Sequence, residues 1–235
     1  MTIQILGTGG AYSDISTSYL INDNTLVDCG ESVIKTLINE KFISNVLDNV
    51  NDIYLTHSHS DHVNGLEMLL YYKMFKNQLE DLTMYGTQDC LDYLNGLAIS
   101  KSNQFTFVVL PTNGGNSILH NDMHVSYIKA EHMDLKCLSY IFVDLHDIDK
   151  KFIITGDMDS VNEMISPSII KDKTYLFHDM GWTGLPEVPE GNQNHPREQQ
   201  VYDFYGDNKN IIGIHTDNDL EYYEKAVIGQ VLTLY

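Results

Sequence analysis

Residues 56–62, Thr56-His57-Ser58-His59-Ser60-Asp61-His62, place three imidazoles and a carboxylate within six positions, directly after the strand-like run Asp52-Ile53-Tyr54-Leu55-Thr56. Imidazole nitrogen is a good ligand for zinc and related transition metals. On an extended segment alternate side chains share a side, so His57 and His59 can grip one ion together. Asp61 and His62 open a helix-like stretch and aim in another direction, which suits a second ion. Four ligand-type residues in this spacing therefore suggest a site for two metals rather than one. The other histidines carry less. A lone histidine is ordinarily a surface or core residue, and His120, His124 and His146 are read that way. A structural zinc is disfavoured, because such sites lean on thiolates and Cys29, Cys90 and Cys137 lie far apart and outside the cluster.

The elements that must hold this loop follow from pattern. Thr2–Leu6, Thr17–Ile21 and Thr25–Asp28 read as short strands. Val33, Ile34, Leu37 and Ile38 fall at helical spacing within Glu31–Glu40. Ile53–Thr56 is a strand, and after the His-rich loop Asp61–Phe75 reads as one helix. Leu82–Tyr85 is a strand and Gln88–Ile99 a helix. Phe105–Leu110, Ser117–Leu119, Met123–Lys129 and Leu138–Leu145 read as strands, with turns at Gly114-Gly115 and Asn121-Asp122. His146-Asp147-Ile148-Asp149 suits a polar hairpin tip. Lys151–Ile154, Tyr175–His178 and Asn210–Ile214 are strands; Arg197–Tyr205 and Leu220–Val227 look helical. No repeat, linker or low-complexity tract is visible. The pattern is α/β, and periodicity alone does not select one fold within that class.

The 235 residues fit one domain, residues 1–235, and the 43% hydrophobic content is ordinary for a globular chain. No run of about 18 apolar residues predicts a membrane span. The N-terminus lacks the basic and apolar regions of a signal peptide, and the three separated cysteines suggest no disulfide framework. The simplest expectation is a cytoplasmic protein. Net charge is -19, from 33 acids against 14 Lys plus Arg. Long nucleic acids are bound through basic surfaces that displace counterions, and an acidic shell repels a polyanion. Solubility alone would explain the charge equally well.

The His-x-His-x-Asp-His loop resembles the signature of the metallo-β-lactamase superfamily. Leu6-Gly7-Thr8-Gly9-Gly10 with Ser16-Thr17-Ser18-Tyr19-Leu20-Ile21 resembles the opening of its ribonuclease Z branch, and Asp28-Cys29-Gly30 its Asp-x-Gly turn. Glu131-His132, Thr155-Gly156-Asp157, His178-Asp179, His195 and Gly213-Ile214-His215-Thr216 fall in the branch's later order. The resemblance implies an αββα sandwich of two mixed sheets flanked by helices. It implies that His57, His59 and His132 hold one metal, that Asp61, His62 and His215 hold a second, and that Asp157 bridges them; the ions would be two zinc, or manganese. His146 is the alternative to His132. Asp61 would also take a proton from the attacking water. His195 would protonate the leaving group, although the branch's His-Ser-Thr is here Asn194-His195-Pro196-Arg197, and a plain loop residue is the other reading. Arg197, the only arginine, suits a forked contact with phosphate or a helix surface. Asp28 would orient the metal loop, Asp159 cap a helix, and His178 sit buried behind the site.

Two neighbouring cations sharpen water at neutral pH, since metal binding lowers its pKa from 15.7 to about 7. Several hydrolyses fit such a site, and the choice among them rests on the resemblance. The ribonuclease Z branch favours phosphodiesters. Its tRNA-cutting members often carry a Gly/Pro-rich arm between the third histidine and the bridging aspartate; here only 24 residues, Met133 to Gly156, lie there and read as a plain hairpin. The motifs also resemble the cyclic-nucleotide phosphodiesterases of the anti-Pycsar type, which lack that arm and destroy an immune signal. The expectation is hydrolysis of a small 3′,5′-cyclic nucleotide to the 5′-monophosphate, by a homodimer, in the host-cell cytoplasm if the chain is phage-encoded. Alternatives are a ribonuclease Z-type tRNA 3′-endonuclease, another hydrolase of the fold, or a nucleotide binder without turnover. Trp182, Tyr202 and Tyr205 are candidates to stack on a base, and the segment Gly181–Gly191 could cover the site.

Overall fold

Short apolar runs interleaved with helices fold into two seven-stranded sheets in a computed structural model of the chain. The structure describes residues 1–10, 13–39, 44–99, 104–113, 118–120, 122–181, 194–216 and 218–235. The chain divides into two compact units: Thr2–Pro111 with Ile228–Leu232, and Thr112–Val227 with Met1 and Thr233–Tyr235. No helix among the described residues is long and apolar enough to cross a membrane.

The N-terminal unit begins with an antiparallel meander, β1 (Thr2–Gly7), β2 (Ser18–Ile21) and β3 (Thr25–Val27). Asn22 and Asp23 turn the β2–β3 hairpin with φ of 47° and 62°, a region these short polar side chains tolerate. From β3 the sheet becomes parallel, through β4 (Asp52–Tyr54), β5 (Thr83–Gly86) and β6 (Thr106–Val109). Parallel neighbours need crossovers, and helices supply three of them: α1 (Glu31–Asn39) with α2 (Ser44–Asn49), α3 (Ser60–Val63) with α4 (Leu66–Phe75), and α5 (Gln88–Gly96). Strands β2, β3 and β4 are buried throughout, as expected where both faces of a sheet are covered. Leu26, Ile53, Val33, Leu37, Leu66 and Leu70 meet in one apolar cluster.

The helix expected over Asp61–Phe75 is two helices. Gly65 interrupts it: its N–H donates to Cys29 O at 2.8 Å, and Cys29 N–H donates to His62 O at 2.7 Å. A Cβ on Gly65 would overlap the Cys29 and Gly30 carbonyls. The Asp28-Cys29-Gly30 backbone thus ties down α3, the helix that begins within the His-rich loop.

The C-terminal unit repeats the plan without a repeat in sequence. An antiparallel meander, β7 (Ile118–His120), β8 (Met123–His132), β9 (Leu135–Asp144) and β10 (Asp147–Ile154), is followed by β11 (Thr174–Asp179), β12 (Ile211–Ile214) and β13 (Glu224–Lys225), all parallel from β10 onward. The polar tip expected at His146–Asp149 is shorter, because Asp147 already pairs with Asp144. Helix α6 (Glu198–Tyr205) packs Val201 and Tyr205 on Ile153, Leu176 and Ile211.

The helix expected at Leu220–Val227 does not form. The buried Glu198 carboxylate accepts the N–H groups of Glu221, Tyr222 and Tyr223 at 2.8, 2.6 and 2.9 Å, and Glu224–Lys225 then pair with β12. Helix α2 and an edge strand, β14 (Val231–Thr233), were not visible in the pattern. The turn at Gly114-Gly115 and Asn121 lie outside the described residues.

Candidate metal centre

The His-rich loop leaves the carboxyl end of β4 and is held by one buried acid. Asp28, at the end of β3 with φ of 55°, is 1% exposed. Its Oδ1 accepts Thr56 N–H at 2.8 Å, and its Oδ2 lies 2.8 Å from both Thr56 Oγ1 and His62 Nδ1. Donor accounting fixes the tautomers. The Thr56 hydroxyl donates to Asp28, so it can only accept from His57 Nδ1–H, 3.0 Å away. His62 Nδ1–H donates to the same acid. Both rings therefore aim Nε2 lone pairs outward, as a buried acid behind a metal-binding imidazole should ensure. His57 Nε2 and His59 Nδ1 converge to 3.0 Å, close to the roughly 3.3 Å between two nitrogens on one tetrahedral zinc at about 2.05 Å. Asp61 Oδ2 lies 3.6 Å from His62 Nε2. His57 and His62 are fully buried, and Asp61 nearly so.

In the C-terminal unit the ligand-type residues come from strand ends. His132 is the last residue of β8. Gly156, with φ of 64°, turns Asp157 inward three residues past β10, and His215 follows β12 directly with φ of 60°. Asp157 Oδ2 faces both imidazoles, at 3.7 Å from His132 Nε2 and 3.3 Å from His215 Nε2. Burial pushes the His132 pKa down, which keeps the ring neutral, the form that binds metal. Behind these rings stand two more acids: Asp159 Oδ1 lies 3.6 Å from His132 Nδ1, and Asp179 Oδ1 lies 3.7 Å from His215 Nδ1. Asp159 also accepts Met133 N–H at 2.8 Å, so it braces the β8–β9 turn rather than capping a helix.

Asp179 is the hub of this unit. Fully buried at the end of β11, it accepts N–H bonds from Met158 and Gly181 at 3.0 and 2.9 Å and holds His195 Nδ1 at 2.8 Å. The His195 ring stacks on His215 at 4.7 Å and tilts against His132 at 4.9 Å. Burial disfavours charge on His195, but the Asp179 carboxylate outweighs it and the pKa is raised. His178-Asp179 stands in the sequence only as a motif of the branch's later order; spacing carries no sign of the bond from Asp179 to a histidine 16 residues downstream. His178 is buried, with Nδ1 2.8 Å from Asp179 O, and burial lowers its pKa.

Arg197 caps α6, its backbone N–H held by Gln200 Oε1 at 2.7 Å. His146 stands exposed in the β9–β10 turn, 3.9 Å from Asp122 Oδ1. Tyr202 stacks on Tyr222 at 4.2 Å and Tyr205 donates to Ile165 O, so both serve packing. Trp182 and the rest of the loop to Gly191 lie outside the described residues.

Similar proteins place this arrangement. Residues 1–190 match the family model of the anti-Pycsar protein Apyc1. A ribonuclease Z of Borrelia duttonii is 30% identical over 156 residues, 60% of this chain and 48% of the relative. The anti-Pycsar protein Apyc1 of Bacillus phage BSP38 is 37% identical over 79 residues, 31% of this chain and 30% of the relative. The chain thus spans about half or less of the curated relatives' own length. Among solved structures, human tRNase Z, short form, superposes with a TM-score of 0.77 at 18% identity over 100% of both chains. The metallo-beta-lactamase fold protein YhfI of Bacillus subtilis superposes with 0.76 at 14% identity over 98% of both. These likenesses show the metallo-β-lactamase fold, and the family match shows more: the chain belongs to the anti-Pycsar protein Apyc1 family.

Proposed function

We propose that this protein is a metal-dependent phosphodiesterase that hydrolyses small 3′,5′-cyclic nucleotides to 5′-nucleoside monophosphates, with His57, His59, Asp61, His62, His132, Asp157 and His215 sharing two zinc or manganese ions. The observation that carries the reading is Asp157, one carboxylate oxygen facing two buried imidazoles at 3.7 and 3.3 Å. That is the placement a bridging ligand between two ions requires. The donor set is imidazole and carboxylate, which suits zinc and manganese, and the Nδ1 partners of His57 and His62 leave Nε2 as the ligating atom in each. When bound, such ions supply Lewis acidity and lower the pKa of water.

The chain's own groups supply the rest. Asp61 takes a proton from the water that attacks phosphorus. The P–O3′ bond breaks, and O3′ receives a proton from His195, whose Nδ1 is fixed on Asp179 so that Nε2 is the atom that delivers it. The Asp179 carboxylate bonded to Nδ1 stabilises the protonated ring this step needs. Arg197, two residues on, is the proposed phosphate contact. A net charge of -19 penalises a long polyanion far more than a mononucleotide, and the 24 residues between His132 and Asp157 hold the plain β9–β10 hairpin. The named ribonuclease Z relatives support tRNA 3′-cleavage as the second reading.

The test is a substrate panel of purine and pyrimidine 3′,5′-cyclic nucleotides and pre-tRNA, run with zinc and with manganese, alongside elemental analysis. The expected result is about two ions per chain and a 5′-monophosphate product. Pre-tRNA cleavage with every cyclic nucleotide intact would hand the reading to the alternative. Saturable nucleotide binding with no product would mean a binder without turnover. We further propose a cytoplasmic homodimer, which light scattering would contradict by returning a 26.8 kDa particle.

A further inference from the structure

His178 takes no part in the chemistry above, yet it is fully buried. It alternates along the chain with Leu176 and Met180, so all three share a face, and both neighbours belong to the apolar cluster that Val201 and Tyr205 of α6 complete. The Tyr205 ring stands edge-on to it at 5.7 Å and gives its hydroxyl to Ile165 O. Burial lowers the His178 pKa, so the ring is neutral and carries a single proton. A carbonyl only accepts, so the 2.8 Å contact with Asp179 O fixes that proton on Nδ1. Nε2 is then a bare acceptor, and no described residue donates to it. An unmet acceptor in a protein interior lowers stability, and leucine would fill the space without one. What the imidazole adds is the Nδ1–H bond.

That bond falls where the sheet stops holding the chain. The registered pairs of β10 and β11 end at Ile154 and Phe177, and just past them Thr155 N–H donates to Phe177 O at 3.1 Å. Beyond this point side chains take both main-chain groups of Asp179. Its N–H donates to Thr155 Oγ1 at 3.1 Å, and its C=O accepts from His178 Nδ1. Met180 N–H donates to Ile214 O at 3.0 Å, so the peptide joining Asp179 to Met180 is gripped at its carbonyl and at its N–H. The set of this peptide directs the Asp179 side chain, whose carboxylate holds His195 Nδ1 at 2.8 Å. We propose that His178 is a positioning residue: by holding the Asp179 peptide it keeps the carboxylate, and through it the His195 ring, aimed to deliver a proton to the leaving oxygen. The inference rests on the proton-delivery step of the proposed reaction and adds to it a residue that contacts His195 only through Asp179.

The test sets a diester with an alkoxide leaving group, a 3′,5′-cyclic nucleotide, against bis(p-nitrophenyl) phosphate, whose nitrophenolate departs without a proton. The kcat for each is measured in the metal-loaded unaltered protein, in His178→Leu and in His178→Asn. Leucine removes the donor; asparagine keeps an N–H at the same branch point. A misdirected working group costs roughly 10–100-fold, so His178→Leu is expected to lose about 10-fold more with the cyclic nucleotide than with bis(p-nitrophenyl) phosphate. His178→Asn recovers most of that difference. The ratio of the two rates does not depend on how much of a variant is folded. Rates that fall in proportion, or do not fall, overturn the positioning role and leave the proposed function standing. If the unaltered protein cuts pre-tRNA and no cyclic nucleotide, the substrate reading fails, and the same ratio taken with pre-tRNA, which also releases an alkoxide, decides on His178. Failure to cut either removes the proton-delivery step and the role of His178 with it.

Discussion

The two units solve one problem in opposite ways. In the N-terminal unit the four proposed ligands come from a single loop, residues 57–62, held by one carboxylate, Asp28. In the C-terminal unit His132, Asp157 and His215 come from the ends of three strands, braced by Asp159 and Asp179. The plan beneath is nonetheless shared. Each sheet changes from antiparallel to parallel at one strand, β3 or β10. Each sets an aspartate just past that strand's carboxyl end, Asp28 or Asp157. Open α/β sheets bind ligands beyond the carboxyl ends of their strands, and the residues proposed as metal ligands lie at that end in both sheets. What differs is the aspartate's job. Asp28 points back into its own loop and holds Thr56 and His62, whereas Asp157 faces two imidazoles and is proposed as a ligand itself. The orienting task in the C-terminal unit passes to Asp179, at the end of the next strand.

This difference predicts unequal damage. Asp157→Ala removes an oxygen that faces both imidazoles, so both ions should be lost and turnover should fall by more than the roughly 10–100-fold that losing an acid behind a ligand costs. Elemental analysis and the cyclic-nucleotide assay check it together. Retention of two ions with near-normal turnover would remove Asp157 as the bridge and with it the contrast with Asp28.

The orienting acids should separate next. Loss of an acid behind a metal-binding histidine typically costs 10–100-fold in metal affinity or activity. For Asp28→Asn the cost should appear as metal affinity, because both His57 and His62 depend on that carboxylate for their tautomers. For Asp179→Asn the main cost should appear in kcat with ions retained, because its short bond goes to His195, not to a proposed ligand. Competition with a chelator reads the first, and steady-state kinetics at saturating metal the second. If the two variants behave alike, the division of labour is wrong.

The same contrast explains what the chain discloses. Four ligand-type residues on one stretch are legible because their spacing is itself the geometry: an extended pair, then the start of a helix. His132, Asp157 and His215 carry no local pattern; they were placed by resemblance, and only folding gathers them. Asp179 was legible only as a neighbour of His178, since its partners depend on how β11 and β12 align. Strands β1 to β12 were readable from apolar runs, their ends moving by a residue or a few, whereas β13 and β14 were not. The errors came where a distant group overrode local preference. Residues Leu220–Val227 have helical spacing, but the Glu198 carboxylate takes three of their N–H groups before a helix can use them. Residues Asp61–Phe75 have helical spacing too, and the Cys29-Gly30 backbone breaks them at Gly65.

Two glycines give the finest version of the comparison. Gly65 has ordinary helical dihedrals, φ of -77° and ψ of -16°, so alanine there brings no backbone strain. The added Cβ meets main-chain carbonyls of Cys29 and Gly30, which cannot rotate away. Forcing a methyl group into such packing costs about 1–3 kcal/mol, a fall in melting temperature of roughly 2–12 °C for a chain of this size. Gly181 is different. A Cβ there would stand 3.0 Å from His195 Cγ, 3.0 Å from His215 Nδ1 and 3.2 Å from Asp179 Oδ1, side-chain atoms rather than main-chain carbonyls. Gly181→Ala should therefore lower its melting temperature by less than about 4 °C, since small shifts of side chains cost under about 1 kcal/mol. Its price should be paid in kcat, by roughly 10-fold, because a proton donor works only when held near its productive position. Thermal melts and kinetics on the two variants decide it. A thermally unstable Gly181→Ala with normal kcat per folded molecule would mean that the stacked His195–His215 pair is a structural element of its unit, and that the proton reaches O3′ from another group.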